Sequence, residues 1–200
     1  MNAKRMFDVA VAACGLVVLA PLLLALAVWI RLDSPGPALF RQERVGRGGK
    51  TFRIHKFRTM RDGPIGTGPA ITVGADPRIT RAGAFLRRHK LDELPQLIDV
   101  LRGDMSLVGP RPELPRYVAG YPPALRDKVL SVRPGITDVA SIEFRNEAEL
   151  LARAADPDRE YREVVLPAKL RLAAAYVDGA TLASDLRVIG RTLKALCRTR

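Results

Sequence analysis

Two adjacent carboxylates, Asp92 and Glu93, are the residues of this chain best placed to do chemistry. They sit in the run Leu91-Asp92-Glu93-Leu94-Pro95-Gln96-Leu97. Pro95 suits the first turn of a helix, and Gly103 suits its C-terminal end. Free backbone N–H groups and the dipole at such a helix start favour negative charge. Asp92 is therefore expected to stay ionised, as a carboxylate nucleophile must, and the same helix end can receive phosphate oxygens. Neighbouring carboxylates repel each other, and a divalent cation relieves that repulsion. Magnesium fits, because it takes oxygens from one or two carboxylates together with substrate phosphates. Arg87 and Arg88, just upstream, can hold a diphosphate through charge-assisted bonds. The ordinary role of acidic residues at a helix start is capping, and spacing alone leaves both readings open. Glycosidase chemistry fits poorly, since its two carboxyl groups stand about 5 Å or more apart across a sugar.

The elements that position this pair must be built from 200 residues with 33 basic and 21 acidic side chains, a net charge of +12. That balance implies an anionic partner: nucleic acid, an anionic membrane face or a phosphorylated substrate. A composition of 48% hydrophobic and 27% charged residues excludes wholesale disorder. Cys14 and Cys197 are the two cysteines, so neither a disulfide framework nor a cysteine metal motif is available.

Val9 to Ile30 carries no charge. As a helix, these 22 residues would extend roughly 33 Å, about the thickness of the hydrocarbon core. A signal peptide is disfavoured by the length of the run and the lack of a small-residue cleavage site. Pro21 lies mid-run and should kink the helix. Lys4 and Arg5 precede the run, and Arg31, Arg41, Arg44, Arg47 and Lys50 follow it. The positive-inside rule puts both flanks on the cytoplasmic side, which a helix–break–helix that re-enters the same face satisfies and a straight span does not. A tilted span with a proline kink remains the alternative reading of the residues.

Ala38 to Val45 and Thr51 to Arg58 read as a β-hairpin around Gly46-Arg47-Gly48-Gly49-Lys50. Arg61 to Pro77 reads as a surface loop. Helices are predicted over Thr80–Lys90, Leu94–Leu101, Glu113–Leu130, Glu147–Ala155, Asp158–Tyr176 and Thr181–Arg198. The last carries Leu182, Leu186, Ile189, Leu193 and Leu196 on one face and Arg187, Arg191, Lys194 and Arg198 on another. Such a helix either lies on an anionic membrane surface or packs with a solvated outer face.

The run DPRITRAGAFLRRHKLDELPQLIDVLRGDMSLVGPRP, with FRIHKFRTM upstream and VRPGIT downstream, closely resembles the bacterial sugar transferase family, the monotopic phosphoglycosyl transferases. The resemblance covers nearly the whole chain, at the length of the small members. It implies an α+β, mostly α fold with a short hairpin and membrane-surface amphipathic helices around a small catalytic domain. Residues 1–33 would form a re-entrant hairpin broken at Ala20-Pro21, and residues 34–200 the catalytic domain on the cytoplasmic face of a bacterial inner membrane. By the same resemblance Asp92 is the nucleophile, forming a phosphosugar–aspartate intermediate with release of UMP, and Glu93 helps to hold Mg2+. A polyprenyl phosphate would then take the sugar phosphate in a ping-pong sequence. Lys56 and Arg58 of KFRTM, Arg87, Arg88, Arg111 between two prolines, Arg133 and Arg145 are the expected substrate-binding residues. His55 and His89 fall where the family needs no histidine, and Asp99, Asp104 and Asp185 suit capping or ion pairing. The stretch after RPGIT, Asp138 to Glu147, departs from many members and leaves the sugar open.

Two other classes fit less well. A glycosyl transferase that releases UDP would need a nucleotide-binding βαβ unit or an Asp-x-Asp metal motif, and the sequence shows no separate unit and no convincing motif. A non-catalytic, membrane-tethered basic module for nucleic acid would need aromatics interleaved with its basic clusters. Trp29, four tyrosines and six phenylalanines do not supply that, so nucleic acid is not an expected partner.

Overall fold

The computed structural model describes residues 3–61 and 76–197. The predicted loop Arg61–Pro77 and the basic residue Arg198 lie largely or wholly outside them. The fold is mostly helical, with one long apolar N-terminal helix and two small two-stranded sheets. Helix α1 spans Ala3–Asp33. A hairpin follows, β1 (Leu39–Val45) and β2 (Thr51–Phe57), paired antiparallel from Leu39 with Phe57 to Val45 with Thr51.

Helix α2 (Arg81–Arg88) starts as its residues dictate, with the Thr80 hydroxyl accepting from Gly83 N at 2.9 Å. Gly83 is required for packing: a Cβ there would lie 2.0 Å from Thr59 O, so only glycine lets α2 press against the end of the hairpin. Next come a 3-10 segment, Leu91–Gln96, which carries Asp92 and Glu93, and helix α3 (Leu97–Arg102). Helix α3 ends at Gly103 in the left-handed region, φ 91°, as the sequence predicts. The short strand β3 (Ser106–Val108) pairs in parallel with β4 (Gly135–Thr137). Between and after them lie α4 (Pro115–Val118), α5 (Pro123–Val129), α6 (Val139–Glu143), α7 (Glu147–Ala152), α8 (Pro157–Glu160), α9 (Leu166–Asp178) and α10 (Leu182–Cys197).

Three expectations are corrected. The helix predicted over Glu113–Leu130 is two short helices, because Pro115 and Pro123 occupy first-turn positions where a missing N–H is tolerated and a helix interior is not. The helix predicted over Asp158–Tyr176 is interrupted by a π turn, Tyr161–Val165, next to Pro167, whose missing donor disturbs the regular ladder. At Ala20-Pro21 the expected break is no interruption, for α1 is helical on both sides and through both residues. A proline removes one hydrogen bond and can bend a helix without ending it.

Both ends of α1 are fastened to the rest of the chain. Near its start, Lys4 Nζ donates to Val108 O at 3.0 Å and pairs with Asp185, and Arg5 donates to Val100 O at 2.7 Å. Asp8 accepts from Ser106 Oγ at 2.8 Å and Leu107 N at 3.2 Å. At its far end, Asp33 accepts from Ala82 N at 2.9 Å. Along its middle one face is open, with Val17 76%, Val18 75% and Leu24 68% exposed, while Leu16, Leu19 and Leu23 pack inward. By length and composition α1 is the one helix among the described residues able to cross a membrane.

Two of the apolar cores join α1 to the site. Ala12 packs with Ile54, Leu97, Val100 and Val108; Leu26 and Ile30 pack with Phe57, Ala82 and Leu86, with Leu91 against them. A third core, around Val45, Leu151, Tyr161 and Leu170, closes the far side.

Candidate active site

Asp92 and Glu93 lie in the first turn of the 3-10 segment, wedged between β2 and α2, and the two carboxylates have opposite surroundings. Glu93 is locked by two cations. Lys56 Nζ of β2 donates to Oε1 at 2.6 Å, while Arg111 donates to Oε1 at 2.5 Å and to Oε2 at 3.3 Å. Burial alone would raise the Glu93 carboxyl, but the charges and hydrogen bonds of Arg111 and Lys56 hold it well below the usual carboxylate range. Asp92 is 9% exposed, and its buried Oδ1 has no hydrogen-bond partner among the described residues. Burial pushes its proton affinity up; the Lys56 charge draws it back, and Glu93 adds to the rise. The expected helix-end stabilisation of Asp92 is thus outweighed by burial, since a short 3-10 segment offers little dipole. Two neighbouring acids with diverging proton affinities are a recurrent arrangement for a division of labour in catalysis.

The side chains that hold these groups come from four places in the fold. Lys56 is aimed by β2, which is clamped to α3: Asp99 accepts from His55 N at 2.9 Å and meets His55 Nδ1 at 2.5 Å, all of it buried. Arg111 lies in the Pro110-Arg111-Pro112 turn, and its backbone N donates to Asp138 at 3.2 Å. Asp138 also caps α6 through Ser141 N. Arg87 of α2 donates to Thr59 Oγ1 at 2.8 Å, and its charge acts on Asp92. Lys90, which precedes the 3-10 segment, contributes a fourth positive charge.

The structure thus brings Lys56, Arg87 and Arg111 together with Asp92 and Glu93. It places the other predicted arginines elsewhere. Arg58 is 2% exposed and donates to the carbonyls of Ser34, at 2.7 Å, and Pro35; its guanidinium joins β2 to the end of α1. Arg133 donates to Gly103 O at 2.7 Å. Arg88 and Arg145 are exposed, with no side-chain bond among the described residues. Thr59, Asp138, the His55–Asp99 clamp and Lys90 were not predicted as site residues. The Asp138-x-x-Ser141 spacing is a capping signal that could have found one of them.

No cluster of three or more His, Cys, Asp or Glu stands ready for a metal among the described residues. The available donors are the orphaned Asp92 Oδ1 and the weakly held Glu93 Oε2. Such a sparse set fits an ion that keeps waters and shares substrate phosphates, as magnesium does.

Two carboxylates ringed by Lys56, Arg87, Lys90 and Arg111, beside an apolar helix long enough to enter a membrane, make a site suited to a phosphorylated compound. Comparison with known families makes this specific: the model for bacterial sugar transferases matches residues 1–199, and the chain belongs to that family. The UDP-glucose:undecaprenyl-phosphate glucose-1-phosphate transferase of Caulobacter vibrioides is 40% identical over 209 residues, 98% of this chain and 70% of that protein. The exopolysaccharide production protein PSS of Rhizobium leguminosarum bv. phaseoli is 40% identical, with 95% of this chain and 92% of that protein covered. The UDP-glucose:undecaprenyl-phosphate glucose-1-phosphate transferase of Escherichia coli is 41% identical over 155 residues, 75% of this chain; the match spans 33% of that protein. Several relatives are thus considerably longer than this chain.

Proposed function

We propose that this chain transfers a sugar 1-phosphate from a UDP-sugar to a polyprenyl phosphate, releasing UMP. The observation that carries the reading is the buried, unpartnered Asp92 Oδ1 beside a cation-locked Glu93. An oxygen held free of hydrogen bonds inside a ring of cations is available to attack phosphorus. Its raised proton affinity strengthens it as a nucleophile while Lys56, Arg87 and Lys90 favour its ionised form. In the first transfer Asp92 forms a bond to the sugar-bearing phosphorus, and the bond to the UMP oxygen breaks. In the second, a phosphate oxygen of the lipid forms the new diphosphate link, and the electron pair returns to Asp92. Arg87, Lys56 and Arg111 bear on the charge of the transferring phosphoryl group and hold the carboxylates in register. Glu93, through its weakly held Oε2, is the residue that would hold Mg2+, which when bound supplies charge neutralisation at the phosphates.

The membrane path belongs to the same proposal. A straight 31-residue helix is about 46 Å long. A straight span would place its ends on opposite sides of a bilayer, yet both ends of α1 bond to one domain. A re-entrant path through the cytoplasmic face, with α1 bent at Pro21 but not interrupted, satisfies these bonds and leaves Val17, Val18 and Leu24 to the lipid. Leu186 and Leu193 of α10, 50% and 58% exposed, suit a helix lying on that surface. The sugar nucleotide then arrives from water and the acceptor from the bilayer.

The test is nucleotide release by the purified chain across a panel of UDP-sugars with undecaprenyl phosphate and Mg2+. UMP is the expected product; UDP would identify a transfer of the sugar alone and defeat the proposal.

A further inference from the structure

The proposed reaction requires an acceptor with an apolar tail and one phosphate, and the inference that follows rests on that reading. The cations of the site fall into two sets. Lys56 and Arg111 are bonded to Glu93. Lys90 makes no side-chain bond among the described residues, and Arg87 uses only its Nε, on Thr59. Lys90 is also the non-glycine residue with a positive φ among the described residues, 54°, at the joint between α2 and the 3-10 segment. Backbone held in that region concentrates where function over-determines it.

An exposed aromatic shelf adjoins this joint. The rings of Trp29 on α1 and Phe85 on α2 lie 5.3 Å apart at 59°, and His89 lies 4.3 Å from Phe85. Trp29 is 39% and Phe85 42% exposed, although both are large and apolar. The shelf continues the apolar surface of α1, where Leu32 is 82% exposed, and passes along the last turn of α2 to exposed Arg88 and Lys90. Beneath it, Leu26, Ile30 and Leu86 pack with Leu91, the residue before Asp92. One continuous surface therefore runs from the lipid-facing helix, across two aromatic rings, to unpaired cations beside the nucleophile.

We infer that this surface is the acceptor site, with the isoprenoid chain of the polyprenyl phosphate across Trp29 and Phe85 and its phosphate between Lys90 and Arg87. A phosphate carrying up to two negative charges matches two cations that have no carboxylate bonded to them among the described residues. An apolar chain matches rings that are exposed and covered by nothing among the described residues.

Kinetics and crosslinking test this on the full chain in detergent micelles. Trp29→Ala, Phe85→Ala and Lys90→Asn are the variants, asparagine being tolerant of the left-handed backbone. The expected result is a roughly tenfold rise in KM for undecaprenyl phosphate with the KM for the UDP-sugar within about twofold. Equal changes in both constants, or none in either, would overturn the assignment. A photoreactive prenyl phosphate should label α2 without any donor present and be displaced by undecaprenyl phosphate. Equal displacement by phosphatidylglycerol would make the shelf a general lipid anchor and overturn the assignment. Labelling as expected in a chain that releases no nucleotide from any UDP-sugar would defeat the proposed function and leave the acceptor site standing.

Discussion

Replacing Lys56 with methionine keeps most of the side-chain stem and removes one charge from the centre of the site. Lys56 and Glu93 are 18% and 16% exposed at the side chain and 2.6 Å apart, so their pair is largely desolvated. Removing one partner of a buried pair costs about 3–5 kcal/mol. Arg111 still holds Glu93 in the variant, so the expected loss is about 1–3 kcal/mol in denaturant unfolding. The sign with pH follows from Glu93. Its folded-state proton affinity lies well below the ordinary value of 4.5, so its pairing stabilises the fold above that pH and is lost as pH falls through the lowered value. The variant should therefore differ most from wild type near neutrality and converge with it in acid. Activity reports the second consequence. Lys56 is the largest influence favouring ionised Asp92, so its loss raises Asp92 further. The acid limb of the kcat/KM profile for the UDP-sugar should move to higher pH. An unmoved limb together with unchanged stability would refute the account of how the two acids are tuned.

Other predictions follow from single contacts. Gly83→Ala forces a Cβ to 2.0 Å from Thr59 O and should separate α2 from the hairpin, lowering stability by at least about 1–3 kcal/mol in thermal unfolding. Asp185→Ala removes the carboxylate from Lys4 and from Tyr176 Oη, which donates to it at 2.5 Å, leaves both with Val108 O, and should cost about 1–3 kcal/mol while loosening the start of α1 to protease. Asp99→Leu breaks both bonds to His55 and should lower kcat through Lys56; Asp99→Asn, which can keep the backbone bond, should recover part of it.

What the sequence made legible was local. The hairpin, the helix start at Thr80 and the Gly103 stop each follow from residues close in the chain and fall within a residue or two of the predicted bounds, while the apolar run Val9–Ile30 lies inside the longer helix Ala3–Asp33. Features fixed by distant partners were not legible. Strands β3 and β4 have three residues each and pair Ser106 with Gly135, so neither shows a period of its own. Pro115, Pro122 and Pro123 divide a stretch whose apolar spacing alone suggests one helix. Among the arginines, type and motif do not reveal that Arg58 serves the end of α1 while Arg111 serves Glu93; only the packing of α1 against β2 separates them. Asp92 was found from its neighbours, but its orphaned oxygen is a product of burial, which no short motif encodes.

The central claim is that Asp92 becomes covalently loaded. Intact-mass analysis of the chain mixed with its UDP-sugar and Mg2+, without acceptor, should show one added sugar phosphate. That mass should map to Asp92, disappear on addition of undecaprenyl phosphate and be absent from Asp92→Asn. Wild-type protein that turns over at full rate yet never carries the added mass, even when rapidly quenched, would contradict it.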